Sequence, residues 1–452
     1  MPNRMFVHDP DMTELIFDYC RWRLAVDPVP LDFGGTERFG SVLDGLLGEE
    51  GHDPQAILDL FVEHLARGVV SCDSPRFLSF IPAAPTKAAL LFDMVVSCSS
   101  LQGTSWLEAA GAVVAENQAL AFLAQLAGLP AGAGGCFVSG GSIANLSALA
   151  VARDTAERRQ GQAPSRPRIA VGEETHASVA NSLRLLAVEP LVVPSVDHRM
   201  TGGALEETLR HSEDADHVVG VVATAGTTNA GIVDDLAGIA AVSASRSLWF
   251  HVDAAYGGAG LFSPMVRGRF AGIERADSLV IDPHKWLYAP FDCASLLYRE
   301  PALARSVHAQ QASYLDVIHD EHLDGEWNPS DYAIHLTRRA RGLPLWFSLA
   351  VYGAAAYREA VETVLHTARA SAELIRRTPH LELVREPELS IVVFRRSGWS
   401  AQDYRRWSTT LLTDQIGFVT PTSWEGVPAA RLCFLHPGTT LTMIEEILAT
   451  MD

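Results

Sequence analysis

No uninterrupted apolar run in this chain reaches the length of a membrane span, so a role inside a bilayer is not expected. The N-terminal stretch Met1–Glu14 is polar and acidic and lacks the apolar centre of a secretory leader. Basic residues are in short supply. Against 54 Asp and Glu stand 35 Lys and Arg, for a formal net charge of -19, which argues against nucleic acid or an anionic membrane as the partner. Cysteine is sparse too: Cys20, Cys72, Cys98, Cys136, Cys293 and Cys433 are scattered, without the close pairs of a zinc site or redox dithiol. They read as reduced, mostly buried thiols of a soluble, cytoplasmic protein with no metal centre. Internal repeats and low-complexity tracts are absent as well.

What is present is a large apolar inventory. Over 452 residues, 48% are hydrophobic and 20% charged, enough for a sizeable core divided among two or three domains. Residues 11–26 place Met12, Leu15, Ile16, Tyr19 and Trp22 at helical spacing, and Leu43–Leu47 and Ala56–Leu65 repeat the pattern. Three such helices cannot bury their apolar faces alone, so they are expected to pack on the rest of the chain or on a second subunit. Ser74–Pro82 is extended, aromatic and proline-punctuated, and reads as an inter-domain linker packed on the surface. A helix is predicted from about Leu107 to Ala127. From residue 133 strands and helices alternate, the pattern of an open parallel α/β sheet, with strands at Arg168–Val171, Leu191–Val193, Val218–Ala223, Leu248–Val252, Leu279–Ile281 and Ala294–Tyr298. The tail reads as a small α+β domain. Its predicted helices are 346–377, 401–415 and 440–449, and its strands are 381–385, 391–394 and 431–434. The division expected is a helical segment 1–84, a large domain 85–343 and a small domain 344–452.

Four stretches carry chemistry. Phe137–Asn145 runs Gly140, Gly141 and Ser142 into a helix, exposing backbone N–H groups at a positive dipole end that suits a phosphate. Adjacent glycines exclude the dinucleotide fingerprint, and no P-loop lysine follows. His176 precedes a helix and alone reads as a capping histidine. Thr224 ends a strand and leads into the glycine-rich loop 226–231, on the sheet edge where open α/β folds bind ligands. His251-Val-Asp-Ala-Ala-Tyr256 ends an apolar strand in Asp253, a carboxylate that needs either a structural arginine or a protonated ring nitrogen as partner. Finally, Ser278–Trp286 ends a buried strand at Asp282-Pro283 and presents His284 and Lys285. Taken alone, Lys285 reads as a lysine reaching to water, yet burial there would lower its pKa as Schiff-base chemistry requires.

Together, from about Ser74 to Arg341, these stretches resemble the group II pyridoxal-phosphate decarboxylases of fold type I, the family of aromatic-L-amino-acid and glutamate decarboxylases. The most diagnostic match is His-Val-Asp-Ala-Ala-Tyr followed by Asp-Pro-His-Lys-Trp. The resemblance implies an α/β large domain with a mostly parallel seven-stranded sheet covered by helices on both faces, and pyridoxal 5'-phosphate as cofactor. It assigns Lys285 to the cofactor aldehyde, Asp253 to the ring nitrogen and His176 to the ring face. Thr224 and Ala255 fall at contacts to the ring and its substituents, and His284 beside the reacting carbon. Gly141, Ser142, Ser278 and Asp282 fall at the phosphate, although Asp282 stands where the animal aromatic enzymes have asparagine. Tyr314, 29 positions after Lys285, resembles the tyrosine of the family's mobile catalytic loop, which returns a proton after CO2 leaves. The basic run Arg338, Arg339 and Arg341 reads as a solvated face, while in the family basic residues here help close the site. His319-Asp-Glu-His322 reads as a solvated charge cluster rather than a metal site.

By the same resemblance Phe80, Ile81 and Pro82 form the side-chain pocket, joined by Leu101–Trp106, Trp106 included, from a partner subunit. That lining favours an aromatic or bulky apolar L-amino acid, decarboxylated in a homodimer whose site lies at the interface. Oxidative deamination to an aldehyde, decarboxylation of an acidic amino acid, and a catalytically silent binding protein are the competing readings.

Overall fold

The computed structural model describes residues 3–31, 39–161, 166–318 and 327–451. The main sheet has seven strands: β1 (Gly134–Val138), β2 (Arg168–Gly172), β3 (Glu189–Val193), β4 (Val218–Thr224), β5 (Trp249–Asp253), β6 (Ser278–Ile281) and β7 (Ala294–Tyr298). Their order is β1-β7-β6-β5-β4-β2-β3. From β3 to β6 neighbours run parallel, while β7 is antiparallel to both β6 and β1. The mostly parallel sheet expected from the alternation is therefore present.

In this main sheet one strand escaped sequence reading. β1 begins Gly134-Gly135, and glycine lowers strand propensity. The sheet needs it there: a Cβ on Gly135 would stand 1.9 Å from the Leu296 carbonyl oxygen of β7.

Both faces of the sheet are covered, because successive side chains alternate sides. Val138, Val280 and Leu296 pack with Ala144, Ala148 and Val151 of the helix Gly141–Gln160. Phe137, Leu279 and Leu297 point the other way, into a cluster with Leu120 and Leu123 of the helix Trp106–Ala127 and Ile239 of the helix Leu236–Arg246. β4 is buried along its whole length, which explains its nearly unbroken apolar run.

A second, antiparallel sheet contains β8 (Leu381–Leu383), β9 (Ile391–Arg396), β10 (Pro421–Trp424) and β11 (Val427–Cys433), in the order β10-β11-β9-β8. The helix Leu343–Arg377, interrupted at Gly353, leads into this α+β unit. Its core residues Phe394, Leu432 and Ile444 belong to the same buried cluster as Val252 and Leu279 of the main sheet.

The N-terminal region departs from expectation in two places. The helix expected at Leu43–Leu47 lies instead at Phe39–Val42, and Leu47 is 96% exposed. The stretch Ser74–Pro82 is not a surface linker. Leu78 donates its N–H to the Phe418 carbonyl at 2.9 Å and accepts from the Cys433 N–H at 3.0 Å, so the stretch is stitched to the end of β11 with Leu78 fully buried. The helices Pro10–Ala25 and Pro54–Leu60 bury no residue, as their inability to form a core predicts. Among the described residues, no helix is long and apolar enough to cross a membrane.

Candidate active site

A cavity of about 320 Å³ opens at the carboxyl ends of β4 and β5 and the loops after β1 and β6. Its lining includes Gly141 and Ser142 at a helix start, His176 and Thr224, and the Asp253–Ala255 turn. The loop after β6 adds Asp282, His284 and Lys285. Nine residues far apart in sequence thus converge where an open parallel sheet forms its ligand crevice. Close approach of the loops depends on glycine. Gly226 has φ +116, and a Cβ on Gly257 would lie 2.0 Å from the Ala225 carbonyl oxygen.

Asp253, at the end of β5, is buried and held by neutral donors. Its Oδ1 accepts from the Ala255 N–H at 3.1 Å and its Oδ2 from Asn145 Nδ2 at 2.9 Å. Asn145 Nδ2 also donates to Ser178 Oγ at 3.0 Å, so Asn145 Oδ1 is the atom facing His251 Nε2 at 2.9 Å. His251 must therefore carry its proton on Nε2. Its Nδ1 then accepts from the Ser278 hydroxyl at 2.8 Å, and Ser278 accepts from Trp249 Nε1 at 2.8 Å. Burial pushes the His251 pKa down to about 4, which keeps the imidazole neutral. On the other branch Ser178 lies 2.8 Å from Nδ1 of His176, which also caps the helix Ala177–Leu185. A chain of neutral groups thus fixes the orientation of the Asp253 carboxylate.

Lys285 Nζ lies 3.0 Å from Asp282 Oδ2. Burial alone would lower the lysine pKa, but Asp282 and then Asp253 outweigh it, and the net shift is upward. The lowered lysine pKa expected from the sequence is therefore not found in this arrangement. His284 accepts the Cys293 N–H on Nδ1 at 2.9 Å, and its pKa is lowered, chiefly by burial. The chain has only two lysines, Lys87 and Lys285.

Several expected contributors lie elsewhere. Ser278 begins β6; its hydroxyl is enclosed between Trp249 and His251 and does not line the cavity. Four residues of extended strand span about 13 Å, which separates it from the phosphate region. Phe80, Ile81, Pro82 and Trp106 do not line the single-chain cavity either: Phe80 is 56% exposed and Ile81 is in the core. Tyr314 sits on the turn Ser313–Ile318, 69% exposed. Arg338 is fully buried against Glu116, Arg339 pairs with Asp93, and Arg341 with Asp292, so this run is structural. His319–His322 lies outside the described residues. Among the described residues no cluster could hold a metal ion. Conversely, Asn145, Ser178 and His251 were not singled out from sequence, although Asn145 and His251 lie inside the motifs quoted.

The donor set suits a pyridoxal phosphate. A buried carboxylate with only neutral hydrogen-bond partners calls for a cation such as a protonated ring nitrogen. The buried Thr224 Oγ1 has no hydrogen-bond partner in the protein, and the helix at Gly141 receives no side-chain cap from its N-cap residue, Gly140. Comparison with known proteins agrees. The chain is 30% identical to the aromatic-L-amino-acid decarboxylase of Bacillus atrophaeus, over 89% of this chain and 85% of that one. It is 32% identical to the L-2,4-diaminobutyrate decarboxylase of Rhizobium meliloti, over 83% and 76%. Its fold superposes on the crystal structure of Oryza sativa TDC with PLP and tryptamine with a TM-score of 0.88 at 24% identity, covering 98% of this chain and 99% of that one. Residues 42–397 match the pyridoxal-dependent decarboxylase conserved domain, and the chain belongs to that family of pyridoxal-phosphate-dependent amino-acid decarboxylases.

Proposed function

We propose that this decarboxylase converts an L-amino acid with an uncharged, aromatic or bulky apolar side chain to its amine and CO2, working as a cytoplasmic homodimer with the site at the subunit interface. The observation that carries the reading is Asp253 and Lys285 in one cavity, the carboxylate held by neutral donors and the amine at a strand exit. The cofactor, when bound, supplies an electron sink for the pair released as the Cα–carboxylate bond breaks. Lys285 would hold the cofactor at its aldehyde. Asp253 keeps the ring nitrogen protonated, and Asn145 with His251 keeps Asp253 aimed. The Gly141 and Ser142 helix start takes the phosphate. Thr224 and Ala255 bound the ring, His176 presents its imidazole to it, and His284 stands near the reacting carbon. Tyr314 returns the proton to Cα once the site closes and excludes water.

The charge inventory supports a neutral side chain. Among the described residues no arginine lines the cavity, so a side-chain carboxylate would meet no permanent counter-ion there. Phe80, Pro82, Trp106 and Tyr314 reach a site only through a second copy or a closing movement. The exposed Met12, Ile16 and Trp22 of the N-terminal helix support the second copy. Six free cysteines fit a reducing compartment.

The test is a panel of the common L-amino acids, with L-2,4-diaminobutyrate added, assayed for CO2, amine and aldehyde. Stoichiometric amine from tryptophan, tyrosine, phenylalanine or a bulky aliphatic substrate is expected. Preference for glutamate, aspartate or diaminobutyrate would overturn the substrate assignment. Aldehyde with ammonia and peroxide would overturn the reaction assignment.

A further inference from the structure

Asp282 has surroundings that are unusual for a carboxylate. It is 2% exposed. Its Oδ2 accepts the Gly141 N–H at 3.2 Å, lies 3.0 Å from Lys285 Nζ, and is 3.6 Å from His284 Nε2. Its Oδ1, equally buried, has no hydrogen-bond partner in the protein. The contact with the helix start is tight, since a Cβ on Gly141 would stand 2.9 Å from Oδ2. A helix N-terminus opened by glycine and serine attracts an anion. In this chain a side-chain anion already rests on it.

We propose that Asp282 is an internal competitor for the cofactor phosphate, holding the Gly141 helix start and Lys285 while it is ionised and so coupling cofactor uptake to proton uptake. The inference rests on the reading of Gly141 and Ser142 as the phosphate site. A phosphate dianion brought to the Gly141 amide meets the Asp282 carboxylate at contact distance, and two like charges in a half-closed cavity repel strongly. Asp282 then either takes up a proton or turns away from Gly141 and gives up Lys285. Protonation is the smaller change, because Oδ1 is enclosed as well and a turn would have to move a carboxyl that is 2% exposed. The charged and titratable groups facing it are the Lys285 ammonium, the His284 imidazole, Asp253 through Lys285, and the Cys293 thiol, whose pKa Asp282 helps to raise. The same carboxylate stabilises the ammonium form of Lys285, which cannot attack an aldehyde. Asp282 therefore opposes both the phosphate and the aldehyde end of the cofactor while it is charged.

The experiment uses cofactor-free full-length protein, wild type and Asp282→Asn, titrated with pyridoxal phosphate and separately with inorganic phosphate. Binding is read from tryptophan fluorescence between about pH 6 and about pH 9. The Asp282→Asn protein is expected to bind both ligands at least about tenfold more tightly at the alkaline end. Its affinity should stay level where that of the wild type weakens as pH rises. Asp282→Glu, which keeps the charge, should retain the wild-type slope, so a lost slope reports charge rather than damage to the fold. Equal affinities and equal pH profiles for wild type and Asp282→Asn overturn the proposal. If neither protein binds pyridoxal phosphate, the assignment of the cavity fails first, and the proposal with it.

Discussion

At the scale of single residues, Lys285 and Asp253 make the sharpest predictions. With only two lysines in the chain, borohydride reduction in the presence of cofactor should mark the peptide containing Lys285 and leave the exposed Lys87 unmodified; a mark on Lys87 by mass spectrometry would refute the assignment. Lys285→Ala should bring turnover down to background. Asp253→Asn should lower kcat by about a hundredfold or more, because a neutral amide no longer stabilises positive charge on the ring. His251 gives a pH prediction whose sign is set by burial. Its pKa falls from 6.5 to about 4 in the folded state, so protons favour the unfolded chain between those values. Stability is complete above 6.5 and is lost as pH falls towards 4, each unit of depression being worth ~1.4 kcal/mol. Urea unfolding at several pH values should show this slope, and His251→Asn should flatten it. Lys285 and Asp253 were legible in the sequence because each sits in a short, dense motif at the end of an apolar strand. Ser278, given a phosphate role only by resemblance, lies at the start of β6 and does not line the cavity, which a motif alone does not reveal.

At the scale of elements, two buried polar junctions hold the site's frame. Asn145 ties the helix Gly141–Gln160 to β5 through Asp253 and His251. Asn145→Ala leaves buried donors and acceptors unpaired and should cost about 2 kcal/mol or more in urea unfolding. Arg338 is enclosed with Glu116 of the helix Trp106–Ala127, at 2.7 Å and 2.8 Å, and Glu116 also accepts the Gly342 N–H. Glu116→Ala strands a buried guanidinium and should cost roughly 3–5 kcal/mol, measured in the same way. Neither junction could be read from sequence. A run of arginines looks solvated until the fold supplies a carboxylate more than two hundred positions away. Strands with continuous apolar runs, such as β4, were legible; β1 was not, because its glycines answer to a neighbouring backbone.

At the scale of the whole molecule, the unburied N-terminal helix and the exposed apolar residues Leu91, Val95, Val351 and Tyr352 predict a second copy. Sedimentation should show a dimer, and Ile16→Glu with Trp22→Glu should shift it towards monomer and lower activity together; a fully active monomer would count against the interface site. The sequence by itself determined the α/β class through strand periodicity and, through the resemblance its dense motifs carry, the cofactor; it also singled out Lys285 and Asp253, because periodicity and motifs are local properties. The tertiary structure decided the rest: the stitching of Ser74–Pro82 to the small sheet, the neutral chain from Trp249 to Asp253, and the upward pKa shift of Lys285. These depend on which distant groups share a low-dielectric space. Lys285 shows the difference most clearly: its position was written in the chain, while its charge is set by Asp282 and Asp253, which folding brings beside it.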